Sequence, residues 1–296
     1  MHPNPVADHP PQDARDAGSI MAQAVRCARD LESCAEEHPG LFAARPFDST
    51  LYHAVACANA FGSPGVPAAG LRVAGRTSLW IFALDWLVDH IAATRAEIDD
   101  ITRRCLAVAD GAAPADGDEL ARFLAEIRDE LALAPGFTDL RADWRRQLRR
   151  LLDAGAREWS WKSGAAPRPS FAEYLDNADN YGSAWVNISH WIASGAPQVV
   201  AHREALQAAS REVQRVLRLL NDLATYERDV TWGDLNALML GVDRSEVTAH
   251  LDLLVERCHR LIEPIRSAHP EAAVYLERQI GYSTGFYGIT DYWGTL

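Results

Sequence analysis

Apolar residues recur every three or four positions along nearly the whole chain, and that period specifies helix. "SIMAQAVRCARDLESCAEE", "RTSLWIFALDWLVDHIAATRAEI", "DELARFLAEIRDELAL" and "LRADWRRQLRRLLDAGAREWSW" each carry it, as do the run from Val199 to Asp229 and "RSEVTAHLDLLVERCHRLIEPI". No alternating strand pattern bounded by turns and no Gly-rich phosphate loop interrupts them. The breakers, "FGSPGVPAAG", "DGAAPADGD", "SGAAPRPS" and "SGAPQ", are short enough to join helices and none reads as a domain linker. The expected architecture is all-α, a single bundle of about ten helices over residues 19–296. Residues 1–18, "MHPNPVADHPPQDARDAG", are rich in proline and acids and are expected to form a disordered tail.

Charge narrows the partners. Asp and Glu outnumber Lys and Arg 41 to 29, a formal net charge of −12. Such a surface repels nucleic acid and anionic membranes, so neither is an expected partner. An anionic small molecule requires cations placed locally to receive it. Lys162 is the only lysine, so arginine carries almost all positive charge. Five cysteines lie scattered without CxxC spacing, as expected for free thiols in a reducing compartment. The first residues lack a signal-peptide pattern, and no apolar run reaches membrane-spanning length, so a cytoplasmic location is expected. A homodimer stays open.

Two acidic clusters break the apolar pattern. Val213, Val216, Leu217 and Leu220 form a buried stripe that runs into Asn221, Thr225 and Asp229. Residues four apart on a helix differ by ~40°, so these three oxygen-bearing side chains share one face over ~12 Å. An amide oxygen, a hydroxyl and a carboxylate are hard ligands suited to Mg²⁺. A solvated helix end is the plainer reading of that cluster alone. "LWIFALDWLVDHI" then places Asp85 and Asp89 four apart in a helix that is apolar on nearly every side. Carboxylates are costly there unless paired or coordinated. Two such faces on separate buried helices imply a cavity holding several Mg²⁺ ions, with an anion such as a diphosphate completing it.

These residues resemble the class I terpene synthases. Asp85-Trp86-Leu87-Val88-Asp89 is similar to the family's D-D-x-x-D motif with its second Asp replaced. Asn221-Asp222-Leu223-Ala224-Thr225-Tyr226-Glu227-Arg228-Asp229 resembles its (N/D)-D-x-x-(S/T)-x-x-x-(E/D) triad, and Gly233-Asp234-Leu235-Asn236 the G-D-x-x-N that often trails it. The resemblance implies three Mg²⁺ ions held by Asp85, Asn221, Thr225 and Asp229, with Asp89 auxiliary. It further implies ionisation of an isoprenyl diphosphate, with diphosphate release and closure of the carbocation in an apolar cavity. Arg228 stands where the family usually has a basic residue contacting diphosphate. Asp222 lies ~100° from the metal face and is expected to orient a neighbour.

"SFAEYLDNADNYGSAWVNISHWI" resembles the segment where a family helix breaks around a diphosphate-sensing arginine. Alignment at Tyr174 puts Ala178 at the sensor position, Tyr181 at the linker and Gly182 at the effector, with Asn180 a further candidate donor. The absent arginine leaves the usual trigger without its residue. The "NADNxG" form is similar to bacterial diterpene synthases of the kaurene-synthase type, which favours a C20 diphosphate, linear or bicyclic. Farnesyl diphosphate is the alternative substrate. Phe82, Trp185, Trp191, Tyr287 and Tyr292 are candidates for the cavity lining, with core packing the alternative for each; Phe82, Trp185 and Tyr287 are assigned to substrate. Trp86 and His90 are expected to pack rather than react. A head-to-head prenyl synthase fits Asp85 and Asp89 but lacks its second D-x-x-x-D. A non-catalytic helical protein binding an isoprenoid or a partner is the remaining class.

Overall fold

The computed structural model describes residues 14–195 and 197–294, and among them there is no strand. Twelve α-helices form one bundle: α1 (Ala14–Glu37), α2 (Pro39–Phe42), α3 (Ser49–Gly62), α4 (Ala68–Trp86), α5 (Arg95–Ala109), α6 (Glu119–Ala132), α7 (Phe137–Lys162), α8 (Phe171–Asp176), α9 (Ser183–Ser194), α10 (Pro197–Trp232), α11 (Arg244–Ala268) and α12 (Pro270–Tyr287). Residues 14–18 belong to α1, so the expected tail is shorter at its end, and its first thirteen residues lie outside the described residues. No described helix is long and apolar enough to cross a membrane.

Local sequence explains most boundaries. Thr94 with Glu97, Ser170 with Glu173, and Asp243 with Glu246 each form a reciprocal capping box that starts a helix. The Asp48 carboxylate accepts from Thr50 and Leu51 N–H at the head of α3. The run from 76 to 98, expected as one helix, divides at its middle. After Trp86 the backbone widens into a π-turn, Leu87–Ile91, and Ala92 N–H donates to Leu87 O at 2.8 Å before the chain extends. Thr94 then caps a new helix, which is why the apolar period continues through a break it does not report. Single-turn π-bulges occur often at functional sites, and this one carries Asp89.

The buried stripe of α10 is as the period predicts: Val213, Val216, Leu217 and Leu220 are all core residues. Helices α3, α4, α7, α9, α10 and α12 surround a central cavity. Helix α1 packs on α3 and α4, α5 on α7, α6 on α4, and α11 on α10 and α12 from outside. All five cysteines are free. Trp185, expected at the substrate, is 1% exposed and packs between Trp80, edge-on at 5.0 Å, and Trp144, tilted at 5.5 Å. The reason is helical phase. On α9, Ser183, Val186 and Asn187 face the cavity, which turns Trp185 and Trp191 into the core.

Between α8 and α9 the chain makes a 3₁₀ turn, Ala178–Tyr181, and Gly182 follows with φ of 80°. A β-carbon at Gly182 would lie 2.7 Å from Ile81 Cδ1 on α4. Glycine is required here twice, by the left-handed backbone and by the close approach. Gly182 itself does not line the cavity, whereas its neighbours Asn180 and Tyr181 do. Gly182→Ala should therefore destabilise the protein by at least ~1–2 kcal/mol, the scale of the left-handed backbone penalty. Urea denaturation measures it; an unchanged midpoint would show that the segment relaxes freely.

Candidate active site

The carboxyl end of α4 and the π-turn bring Asp85 and Asp89 to one wall of the cavity mouth. Helix α10 brings Asn221, Arg228 and Asp229 to the same cavity. The two motifs, 132 residues apart from Asp89 to Asn221 in the sequence, thus face a common space. Phe82, Asn180, Tyr181 and Tyr287 line it as expected. So does Tyr292. Deeper walls carry apolar Val55, Ile81, Val186 and Leu217.

Hydrogen bonds set the polar side chains on α10. Thr225 is buried below the cavity surface, where its one hydroxyl proton is shared between Asp229 Oδ2 at 2.7 Å and Asn221 O at 2.9 Å. Asn236, beyond the left-handed Gly233, donates to the same Asp229 oxygen at 2.8 Å and to Asp222 O at 2.9 Å. Asn221 Nδ2 donates to Tyr287 Oη at 3.3 Å, which leaves its Oδ1 as the acceptor for the cavity. Tyr287 in turn meets Tyr181 Oη at 3.0 Å. Asp222 is 1% exposed and accepts from Tyr174 Oη at 2.9 Å, the neighbour-orienting role expected of it.

Several charged residues here escaped the sequence reading. Lys162, at the end of α7, reaches Asp234 at 2.5 Å and donates to Asp89 O at 3.0 Å. Glu158, one turn earlier, accepts from Arg218 Nη2 at 2.8 Å and from Asn180 Nδ2. Arg218 lies on α10 one turn before Asn221, and its Nε donates to Tyr174 Oη at 2.7 Å. Glu158 and Lys162 stand at helical spacing and Arg218 precedes Asn221 by three, but nothing in those spacings says which partners face them. Arg228 donates to Asp291 at 2.5 Å and to Asp229 Oδ1 at 3.1 Å, and its guanidinium sits 5.1 Å above the Trp232 ring. Asp291 also accepts from the N–H groups of Trp293 and Gly294. Trp293 packs edge-on to Phe82 and Phe47, so the segment after α12 closes over the α4 side of the mouth. Trp86 and His90 pack against one another at 4.5 Å, and Trp86 lies 6.2 Å from Trp293.

The electrostatics favour a cation. Asp85, Asp89, Glu158, Asp229 and Asp234 line the cavity against two guanidiniums, Arg218 and Arg228. Burial, then Asp89 and Asp234, raise the Asp85 carboxyl well above the carboxylate range. Burial also raises Asp89, opposed by Lys162, and Glu158, opposed by Arg218. Asp222 is pushed up to about 7 by burial, with Arg218 and Tyr174 opposing. Among the described residues no three His, Cys, Asp or Glu side chains form a ready-made metal cage. The donor set is all oxygen, which suits Mg²⁺; that ion commonly takes one or two carboxylates and completes its shell with substrate phosphates and water. The residues fit such an ion.

An all-α bundle whose acidic cavity mouth opens onto apolar walls is the arrangement of an isoprenoid cyclase. Residues 76–259 match the family described as terpene synthase family 2, C-terminal metal binding, and the chain belongs to that family of class I terpene synthases. It is 29% identical over 282 residues to ent-pimara-9(11),15-diene synthase of Streptomyces sp. (strain KO-3988), covering 92% of this chain and 93% of that one. Its fold is similar to that of 2-methylisoborneol synthase from Streptomyces coelicolor A3(2) in complex with Mg²⁺ and 2-fluoroneryl diphosphate. The TM-score is 0.72 at 15% identity, covering 100% of this chain and 97% of that one. Germacradien-4-ol synthase from Streptomyces citricolor is similar too, with a TM-score of 0.69 at 16% identity over 90% and 92% of the two chains.

The raised carboxyls give the fold a pH dependence. A carboxyl with a folded pKa above its unfolded value stabilises the fold at low pH and loses that contribution as pH rises through the folded pKa. Asp85→Asn removes a buried carboxyl that has like charges beside it, so in metal-free buffer it should raise Tm, by more at pH 8 than at pH 5. Thermal melts of both proteins with EDTA test this; a difference that shrinks as pH rises would contradict the placement of Asp85.

Proposed function

We propose that this chain is a diterpene cyclase that ionises a C20 isoprenyl diphosphate, linear or bicyclic, and closes the resulting carbocation, releasing diphosphate. One observation carries the reading: Asp85 and, from the other motif, Asn221 and Asp229 line one cavity that Arg228 and apolar side chains also line. The C20 choice is supported by the full-length relative whose name is that of a pimaradiene synthase. Asp85, Asn221, Thr225 and Asp229, with Asp89, would hold three Mg²⁺ ions. The Thr225 hydroxyl and an Asp229 carboxylate oxygen already stand 2.7 Å apart, two neighbouring oxygen donors for a cation. Bound there, Mg²⁺ supplies Lewis acidity and charge neutralisation for the departing diphosphate.

The remaining work falls to side chains of this chain. Arg228 presents a charged donor at the mouth, where the leaving group gains charge. Tyr287 holds the Asn221 amide in register, and Asn236 holds the Asp229 carboxylate. Phe82, Tyr282 and Tyr287 line the cavity, and a dry ring face turned to a cation stabilises it by up to ~2 kcal/mol. Trp293 and Tyr292, folded against Phe82, exclude water from that side. The bond broken is the carbon–oxygen bond to diphosphate. Its electron pair leaves with the diphosphate, and the cation is quenched by loss of a proton or by water.

Incubation with C10, C15, C20 and bicyclic C20 diphosphates plus Mg²⁺, followed by product analysis, tests the assignment. C20 turnover is expected. Turnover of farnesyl diphosphate alone would make the protein a sesquiterpene cyclase, and no Mg²⁺-dependent diphosphate release from any of them would leave it a binding protein. Asn221→Ala and Asp85→Ala should each abolish turnover while the protein stays folded; activity of both within tenfold of wild type would remove these residues from the mechanism. Arg228→Ala should cost at least ~2 kcal/mol in kcat/KM, the scale of losing one preorganised donor.

A further inference from the structure

We propose that Arg218 is a second guanidinium that grips the substrate diphosphate from α10, beside Arg228, and that Glu158 and Asn180 carry its state to the helix break at 177–182. The inference rests on the cyclase reading above. The break itself has no cation to offer: Ala178 is 3% exposed on the 3₁₀ turn, and residues 170–195 contain neither Arg nor Lys. Of the charged residues lining the cavity, only Arg218 and Arg228 are cationic. Arg228 already donates from both Nη atoms, to Asp291 and Asp229, and its remaining Nε is buried.

Arg218 is committed on one edge only. Nε donates to Tyr174 Oη, and Nη2 to Glu158 Oε1 and Leu235 O, while Nη1 has no hydrogen-bond partner among the described residues. A guanidinium with a free edge, lining an acidic cavity, presents donors that match phosphate oxygens and is far stronger there than a neutral amide. It stands one turn from Asn221, ~4.5 Å along the helix axis, so an anion held beside Asn221 lies within its reach. The Tyr174 ring under the guanidinium, 4.8 Å away, holds the fork in place.

The contacts around Arg218 close on themselves. Glu158 joins Arg218 to Asn180; the next residue, Tyr181, meets Tyr287; and Tyr287 receives the Asn221 amide. The circuit leaves α10 at Arg218 and returns to it three residues later at Asn221, passing through the break on the way. Diphosphate on the free edge of Arg218 draws on the charge that neutralises Glu158, so Glu158 accepts more strongly from Asn180 through its other oxygen. Glu158 and Asn180 are thus positioning residues, and Arg218 contacts substrate.

Calorimetric titration with magnesium pyrophosphate separates the outcomes. Arg218→Gln alone would strand a buried carboxylate, so the variant to use is Arg218→Gln with Glu158→Gln, which removes both charges. We expect it to bind magnesium pyrophosphate at least tenfold more weakly than wild type, whereas Glu158→Gln alone binds no more weakly. Hydrogen exchange at 177–182 should respond to pyrophosphate in wild type and not in the double variant. If the double variant does not fold, Arg218→Lys replaces it, with an expected loss of fivefold or more because the fork is gone. Wild-type binding matched within threefold by the folded variant overturns the role of Arg218 alone. Failure of the wild-type protein to bind magnesium pyrophosphate removes the cyclase reading, and this role with it.

Discussion

The interaction on which this structure turns is the repulsion among carboxylates gathered at one end of a helical bundle. Five line the cavity and Asp222 lies buried behind them. In a medium that solvates charge poorly, such a group is tolerated only with compensating cations or protons. Lys162 offsets Asp89 and Asp234, Arg218 offsets Glu158 and Asp222, and Arg228 offsets Asp229 and Asp291. Asp85 has no ion pair among the described residues, and burial beside Asp89 and Asp234 raises its carboxyl. The residual negative charge is what makes the mouth receptive to divalent cations.

Helix packing places that charge without exposing it. The π-turn after Trp86 carries Asp89 within reach of the only lysine, and the Thr94 capping box ends the excursion. Hydrogen bonds from Thr225 and Asn236 converge on one oxygen of Asp229, and the phenol of Tyr287 fixes the amide of Asn221. Preorganisation of this kind lowers the cost of ordering the groups when a ligand arrives. The segment after α12 adds an aromatic seal, Tyr292 and Trp293 on Phe82, pinned by the Asp291–Arg228 pair. Arg228 therefore has two partners in the protein, and any anion at the mouth competes with Asp291 for it.

Where α9 and α12 meet, part of the cavity wall is polar but self-satisfied. Asn187 accepts from Tyr275 Oη at 3.0 Å and Gln279 Nε2 at 2.6 Å and donates to Ser210 Oγ at 2.7 Å. A network whose donors and acceptors are already matched acts as a rigid wall, because rearranging it would strand buried polar groups. The shape presented to a hydrocarbon there is accordingly set by α9 and α12 rather than by the ligand.

Helical class, the stripe on α10 and the two oxygen-rich faces were all legible in the sequence, because period and ligand chemistry are properties of neighbours along a helix. So was Asp222 as an orienting residue, from its angle off that face. Trp185 was misplaced because an aromatic residue on an apolar helix carries no mark of which side faces a cavity; the phase of α9 against α4 decided it. The π-turn was hidden because its residues keep the apolar period while the backbone changes pitch. Glu158, Lys162, Arg218 and Asp291 were unreadable as site residues for one physical reason. A charged side chain on a helix finds its partner across space, and which helices adjoin is settled only when their apolar faces pack. The sequence alone determined what chemistry the chain carries and on which helices. Tertiary packing alone decided which charges meet, because burial in a common cavity makes ion pairs between residues up to 73 apart, as for Lys162 and Asp89, the lowest-energy way to keep them there.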